Sequence, residues 1–268
     1  MRFLFLLAVL FFSCSLNNVN TDDSLEKYFT DNGAKGTFAL FNNSTGRFTI
    51  YNLERYKDSA FLPASTFKIV NSLVGLQTGV IRDENMVIPW DGVTRSFPEW
   101  NKDLTMYQAF RASSVPYYQE VARRIGKPNM QFWLDSLSYG TKKITTAIDT
   151  FWLDHSLKIT PDEQLGLVKN LYFNKLPFHK YNQEIVKKAM LFEDKPEYKL
   201  FYKTGWSFYE EKSPRHIGWI VGWIEENGHP YFFVLNLESH QKNFDMPVVR
   251  MKILKGILTE LGFFQGKK

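Results

Sequence analysis

The sequence predicts an α/β (α+β) fold: an antiparallel sheet of N- and C-terminal strands flanked by helices, with an interleaved, mostly helical lobe. Three observations carry this. Strand-like stretches rich in aromatic and β-branched residues fall at 37–41 and 48–51, and again at 198–203, 216–225 and 230–236. The residues between them carry helix starts and stops rather than alternation. The 268 residues, 44% of them hydrophobic, suffice for a substantial core in one large domain or two interleaved lobes.

In chain order, a short polar helix is expected at 24–30, with Ser24 as its cap. The segment 42–46, Asn-Asn-Ser-Thr-Gly, turns the first two strands into a hairpin. Pro63 ends the next loop, and a helix runs from Ser65 to about Thr78, where Gly79 stops it. Residues 82–104, with Pro89, Gly92 and Pro98, form a connection long enough to be functional or lid-like. Helices follow at 106–112, about 116–125 and 128–137, the first capped by Thr105. Thr160-Pro161-Asp162-Glu163 opens a helix reaching about 173, and another covers 182–191. Asn227-Gly228 marks a hairpin between the last two strands, and Pro247 opens a closing helix that reaches Leu261.

The chemistry concentrates at Ser65-Thr66-Phe67-Lys68. Residues three apart share a helix face, so the Ser65 hydroxyl and the Lys68 amine are expected within reach of each other. Helix starts also present unpaired N–H groups and a positive dipole end. A hydroxyl, a potential base and a site that favours negative charge outline a serine acyl-transfer centre. The same spacing occurs at Ser24 and Lys27, but in a polar segment where Lys27 is expected to be solvated. Around Lys68, by contrast, Phe67, Val70, Leu73 and Val74 make the helix face largely apolar, and a lysine there requires a reason.

The N-terminus reads as an export signal. Met1-Arg2 precedes an apolar run, Phe3 to Phe12, too short to span a bilayer comfortably. Cys14, the only cysteine, rules out an internal disulfide. Its setting fits a bacterial lipoprotein cleavage site, with lipidation of Cys14, and ordinary cleavage nearby equally well. Net charge is +5, without a long basic run, which fits an anionic small substrate or simple solubility at least as well as nucleic acid. His155, His179, His216, His229 and His240 show no metal-ligand spacing, and no phosphate-cradling glycine loop is present.

Ser65-Thr66-Phe67-Lys68, then Ser113-Ser114-Val115, then Lys203-Thr204-Gly205 resemble the three signatures of the penicillin-recognising serine enzymes. Within these, the chain most resembles the class D β-lactamases of the oxacillinase type. Trp90-Asp91-Gly92, the stretches 148–153 and 171–177, Pro196-Glu197-Tyr198, Trp206-Ser207 and Arg250 add to the likeness, which runs from about residue 25 to the end. Tyr139-Gly140-Thr141 departs from it, because the family has Tyr-Gly-Asn there, and this is expected to narrow the substrate range or slow turnover. The resemblance implies a β-lactamase/transpeptidase-like fold: residues 1–14 as export signal and 15–268 as one catalytic domain, with the helical lobe at about 80–195.

It also implies β-lactam hydrolysis through a Ser65 acyl-enzyme. The backbone N–H groups of Ser65 and Trp206 would form the oxyanion hole. Lys68 would carry a carbamate (N6-carboxylysine) derived from carbon dioxide or bicarbonate, with no other cofactor and no metal. Such a modification needs a neutral amine, available to only about one lysine in 10³ at pH 7 unless burial lowers its pKa. The Trp152 indole N–H would bind the carbamate, and Ser113 would shuttle a proton to the leaving nitrogen. Lys203, Thr204 and Arg250 would hold the substrate carboxylate. Gly205 would let substrate approach the strand, while Val115, Leu153, Phe97 and Trp100 would line the pocket. Expected partners are small β-lactams, in a monomer or homodimer that is periplasmic and lipid-anchored if Cys14 is modified. The competing readings are a β-lactam sensor or slowly deacylating penicillin-binding protein, a D,D-peptidase, and a lipoprotein that keeps the fold without activity.

Overall fold

The computed structural model describes residues 18–154, 156–209 and 214–268. The predicted export signal, Cys14 included, lies outside the described residues.

The elements run β1 (Val19–Thr21), α1 (Glu26–Thr30), β2 (Lys35–Asn42), β3 (Arg47–Tyr51), α2 (Leu53–Asp58) and α3 (Lys68–Gln77). The connecting region holds β4 (Val87–Ile88) and β5 (Leu104–Thr105), and the helical middle holds α4 (Met106–Arg111), α5 (Val115–Ile125) and α6 (Lys127–Ser136). Then come α7 (Pro161–Tyr172), α8 (Lys180–Met190), β6 (Leu191–Asp194), β7 (Lys199–Tyr209), β8 (Arg215–Glu226), β9 (His229–Ser239) and α9 (Met246–Glu260). Among the described residues the large sheet has seven strands in the order β1-β3-β2-β9-β8-β7-β6. The two ends of the chain therefore meet at β2 and β9, which pair antiparallel from Lys35–Glu238 to Asn42–Tyr231.

The sheet departs from the sequence expectation at both edges. β1 pairs with β3 in parallel, so the sheet is not wholly antiparallel. β6 continues directly from α8, with a register shift between Leu191 and Glu193. Both are short edge strands, too brief to show a period. The first cap also differs: Asp22, not Ser24, accepts from the chain, taking the Ser24 N–H at 3.1 Å. Lys27 is exposed and pairs with Glu260 at 2.7 Å.

Alternation sorts the central strands between two cores. On β8, Trp219, Val221 and Trp223 face the core under the helical lobe, while Ile220 and Ile224 face a second core under α1 and α9. Gly218 leaves room for α9, because a Cβ there would sit 2.1 Å from Met246 Sδ and force that side chain to move. Capping boxes begin α4 (Thr105 with Gln108) and α7 (Thr160 with Glu163), as their sequences predict.

Candidate active site

The turn before α3 is built to present Ser65. Ala64–Phe67 forms a 3-10 turn, entered through Ala64 at φ +49°, a left-handed conformation that costs a non-glycine residue on the order of 1 kcal/mol. Hydrogen bonds from three directions hold it. Thr66 Oγ1 donates to the Pro63 carbonyl at 2.7 Å, Gln164 Nε2 of α7 donates to Thr66 Oγ1 at 2.7 Å, and Trp219 Nε1 of β8 donates to the Leu62 carbonyl at 2.8 Å. Beneath it Phe67 stacks on Trp152, with ring centroids 5.5 Å apart, and meets Phe151 and Tyr139 edge-on.

Lys68 is completely buried, and its Nζ lies 2.6 Å from Ser65 Oγ. Burial alone pulls its ammonium pKa down to about 7, so near neutrality a large fraction of the amine carries no charge. The nearby Trp152 is also fully buried, and its indole N–H has no hydrogen-bond partner among the described residues. An unpaired buried donor costs about 1–3 kcal/mol. A neutral amine and an idle donor are what a carbamate on Lys68 requires, so the residues present fit that group.

Ser113 follows α4 at φ +52° and is not a helix cap; Ser114 caps α5, accepting from the Tyr117 N–H. Ser113 Oγ instead accepts from Lys203 Nζ at 2.9 Å. Lys203 is not a solvated edge charge, being 1% exposed. Burial first, then the charges of Lys68, Arg250 and Arg111, hold its pKa well below the ordinary value. Each buried lysine thus faces one serine.

A cavity of about 500 Å³ opens over Ser65. Ser113, Val115 and Leu153 line one side, and Thr204, Gly205, Trp206 and Arg250 the other. Phe97 and Trp100 reach it from the 82–104 connection, and Trp100 Nε1 donates to the Ala112 carbonyl at 3.0 Å. The structure therefore brings the sequence-predicted residues together as two contacting pairs, Ser65 with Lys68 and Ser113 with Lys203, and places both serines with the lining residues around one space.

Three placements refine the expectations. A Cβ on Gly205 would stand 2.8 Å from the Pro63 carbonyl, so this glycine lets β7 close onto the Ser65 turn before any substrate is considered. Arg250 Nη1 donates to the Gly205 carbonyl at 2.9 Å, and burial lowers its pKa to about 10, leaving it charged at neutral pH. Thr141 does not line the cavity: its N–H donates to the Lys158 carbonyl, its hydroxyl to the Ser156 carbonyl, and the Lys158 N–H returns to Thr141 Oγ1.

Sequence reasoning missed Arg111, Ala112, Phe208 and Pro247 in the lining. Arg111 carried a usable signal, a charge two residues before the Ser113 motif. It also missed His216, whose Nδ1 accepts from Trp206 Nε1 at 3.2 Å; spacing along the chain says nothing of a cross-strand contact.

Residues 26–259 match the family described as the penicillin binding protein transpeptidase domain. β-Lactamase OXA-48 of Klebsiella pneumoniae is 40% identical over 242 residues, covering 88% of this chain and 87% of that protein. The class D β-lactamase FUS-1 (OXA-85) of Fusobacterium nucleatum superposes with a TM-score of 0.85 at 36% identity, covering 92% of this chain and all of that one. This chain belongs to the class D β-lactamases. The same fold occurs in a receptor. The C-terminal domain of the Bacillus licheniformis BlaR penicillin-receptor, 31% identical, has a TM-score of 0.86 over 92% of this class D chain and 98% of its own.

Proposed function

We propose that this protein hydrolyses β-lactams through an acyl-enzyme on Ser65. The observation that carries the reading is the 2.6 Å contact between Ser65 Oγ and a fully buried Lys68 amine, at the base of the cavity. Ser65 Oγ gives its proton to the Lys68 side chain and bonds to the lactam carbonyl carbon. The ring C–N bond then breaks, and the leaving nitrogen takes a proton delivered through Ser113, which Lys203 holds in place. Water then attacks the resulting ester: Lys68 accepts the water proton and returns it to Ser65 Oγ as the ester C–O bond breaks, releasing the ring-opened acid. The backbone N–H groups of Ser65 and Trp206 stabilise the oxyanion; losing one such donor typically costs about 2.7–4 kcal/mol. Thr204, Lys203 and Arg250 hold the substrate carboxylate, and Val115 and Leu153 keep water out.

Carbon dioxide, added to the Lys68 amine, would supply an anionic carbamate as the general base, with Trp152 Nε1 as its donor. We assign the protein to the periplasm, either lipid-anchored at Cys14 or released by ordinary cleavage nearby. Mass spectrometry of the mature N-terminus tests that assignment.

The likeness to the penicillin-receptor domain favours one second reading, acylation without turnover. Rapid-quench mass spectrometry with a penicillin, alongside steady-state assays on a penicillin, a cephalosporin and a carbapenem, separates the two. Hydrolysis predicts a transient Ser65 adduct and sustained turnover. A persistent adduct after a single burst supports the sensor, and an adduct elsewhere removes the Ser65 assignment.

A further inference from the structure

Arg111 reaches the cavity from the last turn of α4. Its guanidinium is fixed from behind. Nη1 donates to the Leu191 carbonyl at 2.5 Å, and Cζ lies 3.6 Å from the centroid of the Phe192 ring. Phe192 stacks in turn on Tyr202, at 4.2 Å, one residue before Lys203 on β7. A guanidinium held flat in this way loses little freedom on binding a ligand, and most of its N–H fork is left to donate.

Among the described residues no carboxylate pairs with Arg111, and no Asp or Glu lines the cavity. Arg111 and Arg250 both act on Lys203 and both act on Tyr202, as does Glu193 of β6 on Tyr202, so the two guanidinium groups share one region. Arg250 is already tied to the Gly205 carbonyl. Like charges gathered in a half-enclosed space raise the local concentration of an anion and favour its capture.

We propose that Arg111 is a substrate-binding residue, which with Arg250 captures the carboxylate on the fused ring of the β-lactam. This rests on the acyl-enzyme reading above. It assigns Arg111 a role distinct from supporting β6, and the two roles give different results on a substrate that lacks the charge.

The test compares benzylpenicillin with its methyl ester, on the wild type, R111Q and R111K. The readout is the second-order rate of Ser65 acylation, measured by mass spectrometry, with kcat and KM where turnover is sustained. For the free acid, R111Q is expected to lower the acylation rate about tenfold, mostly through weaker binding. For the ester it should stay within about twofold of wild type. R111K, which keeps the charge and loses the stack, should recover part of the loss, and added salt should narrow the gap between wild type and R111Q. An equal loss on acid and ester, or no loss on either, overturns the proposal. A Ser65 adduct without turnover defeats only the hydrolase reading, because the acid-to-ester comparison is still measured; no Ser65 adduct in the wild type defeats both.

Discussion

Lys203 and Ser113 lie ninety residues apart in the chain and meet at 2.9 Å, Nζ to Oγ, inside the protein. The amine also donates to the Thr204 carbonyl at 3.2 Å. Removing the hydroxyl leaves a buried amine with one acceptor fewer and takes away the relay to the leaving nitrogen. Ser113→Ala is therefore expected to lower kcat by about 10²–10³-fold, in the range of a lost proton-transfer group, with KM changed much less. Steady-state kinetics on one good penicillin decides it; a loss confined to KM would place Ser113 in binding instead.

The depressed pKa of Lys68 sets both activity and stability against pH. The folded amine releases its proton near pH 7 and the unfolded one near 10.5, so between these values the unfolded chain binds more protons. Stability then rises with pH across that window, and the burial cost is fully present below pH 7. The shift corresponds to an upper bound of about 5 kcal/mol at about 1.36 kcal/mol per pH unit. Lys68→Met should raise the melting temperature most at or below pH 7 and abolish deacylation. Wild-type activity should fall as pH drops below 7, where the amine is protonated, and added bicarbonate should restore part of it. Activity indifferent to bicarbonate across this range counts against the carbamate.

Gly205→Ala tests the close approach of β7 to the nucleophile. The added methyl meets the Pro63 carbonyl at 2.8 Å and Thr66 Cγ2 at 3.2 Å. Strand and turn must separate by a fraction of an ångström, which moves Trp206 and Arg250 relative to Ser65. A displacement approaching 1 Å is worth about 10²-fold in rate, so kcat/KM should fall by one to two orders of magnitude while the protein still folds. An unchanged rate would show that the turn yields freely, despite its three hydrogen bonds.

These contacts divide by how they were written into the chain. Ser65 and Lys68 are three residues apart, so helix geometry alone brought them together on paper. The long strands were legible because alternation persists over many residues, as on β8. Lys203 with Ser113, Trp152 under Phe67, and the fit of Gly205 against Pro63 depend on the pairing of distant segments. The resemblance to a family named Lys203, Ser113, Trp152 and Gly205 as members of the site, but not the contacts they make. β1 and β6 have three and four residues, too few to show a pattern. The left-handed backbone of Ala64 and Ser113 has no sequence signature, because neither position is glycine or asparagine.

Thr141 bridges the turn after α6 to residues 156–158 through its hydroxyl, away from the cavity. Thr141→Val keeps the shape and removes those side-chain hydrogen bonds. The expected cost is about 0.5–1.5 kcal/mol of stability, because the Lys158 N–H and the Ser156 carbonyl lose a partner at an exposed position where water can replace it. Thermal denaturation should show a drop of about 1–5 °C, with kcat/KM on a penicillin within about threefold of wild type. A large catalytic loss with unchanged stability would mean that this position acts on the site after all.

Trp152 sets stability against function most directly. Its ring stacks on Phe67 and meets Phe151 edge-on, while its indole N–H goes unpaired. Trp152→Phe keeps an aromatic ring for that packing and removes the orphaned donor. The smaller ring leaves a void, which costs stability, but deleting an unsatisfied buried donor returns about 1–3 kcal/mol. Stability should therefore change little. If the N–H is held ready for an anion on Lys68, its loss weakens that anion by a charge-assisted hydrogen bond of about 1.5–3 kcal/mol, or roughly 10–100-fold. The variant should then lose deacylation rate in ordinary buffer and recover it at high bicarbonate, with its melting temperature near that of the wild type. A variant that is destabilised and inactive regardless of bicarbonate would show Trp152 to be a packing residue.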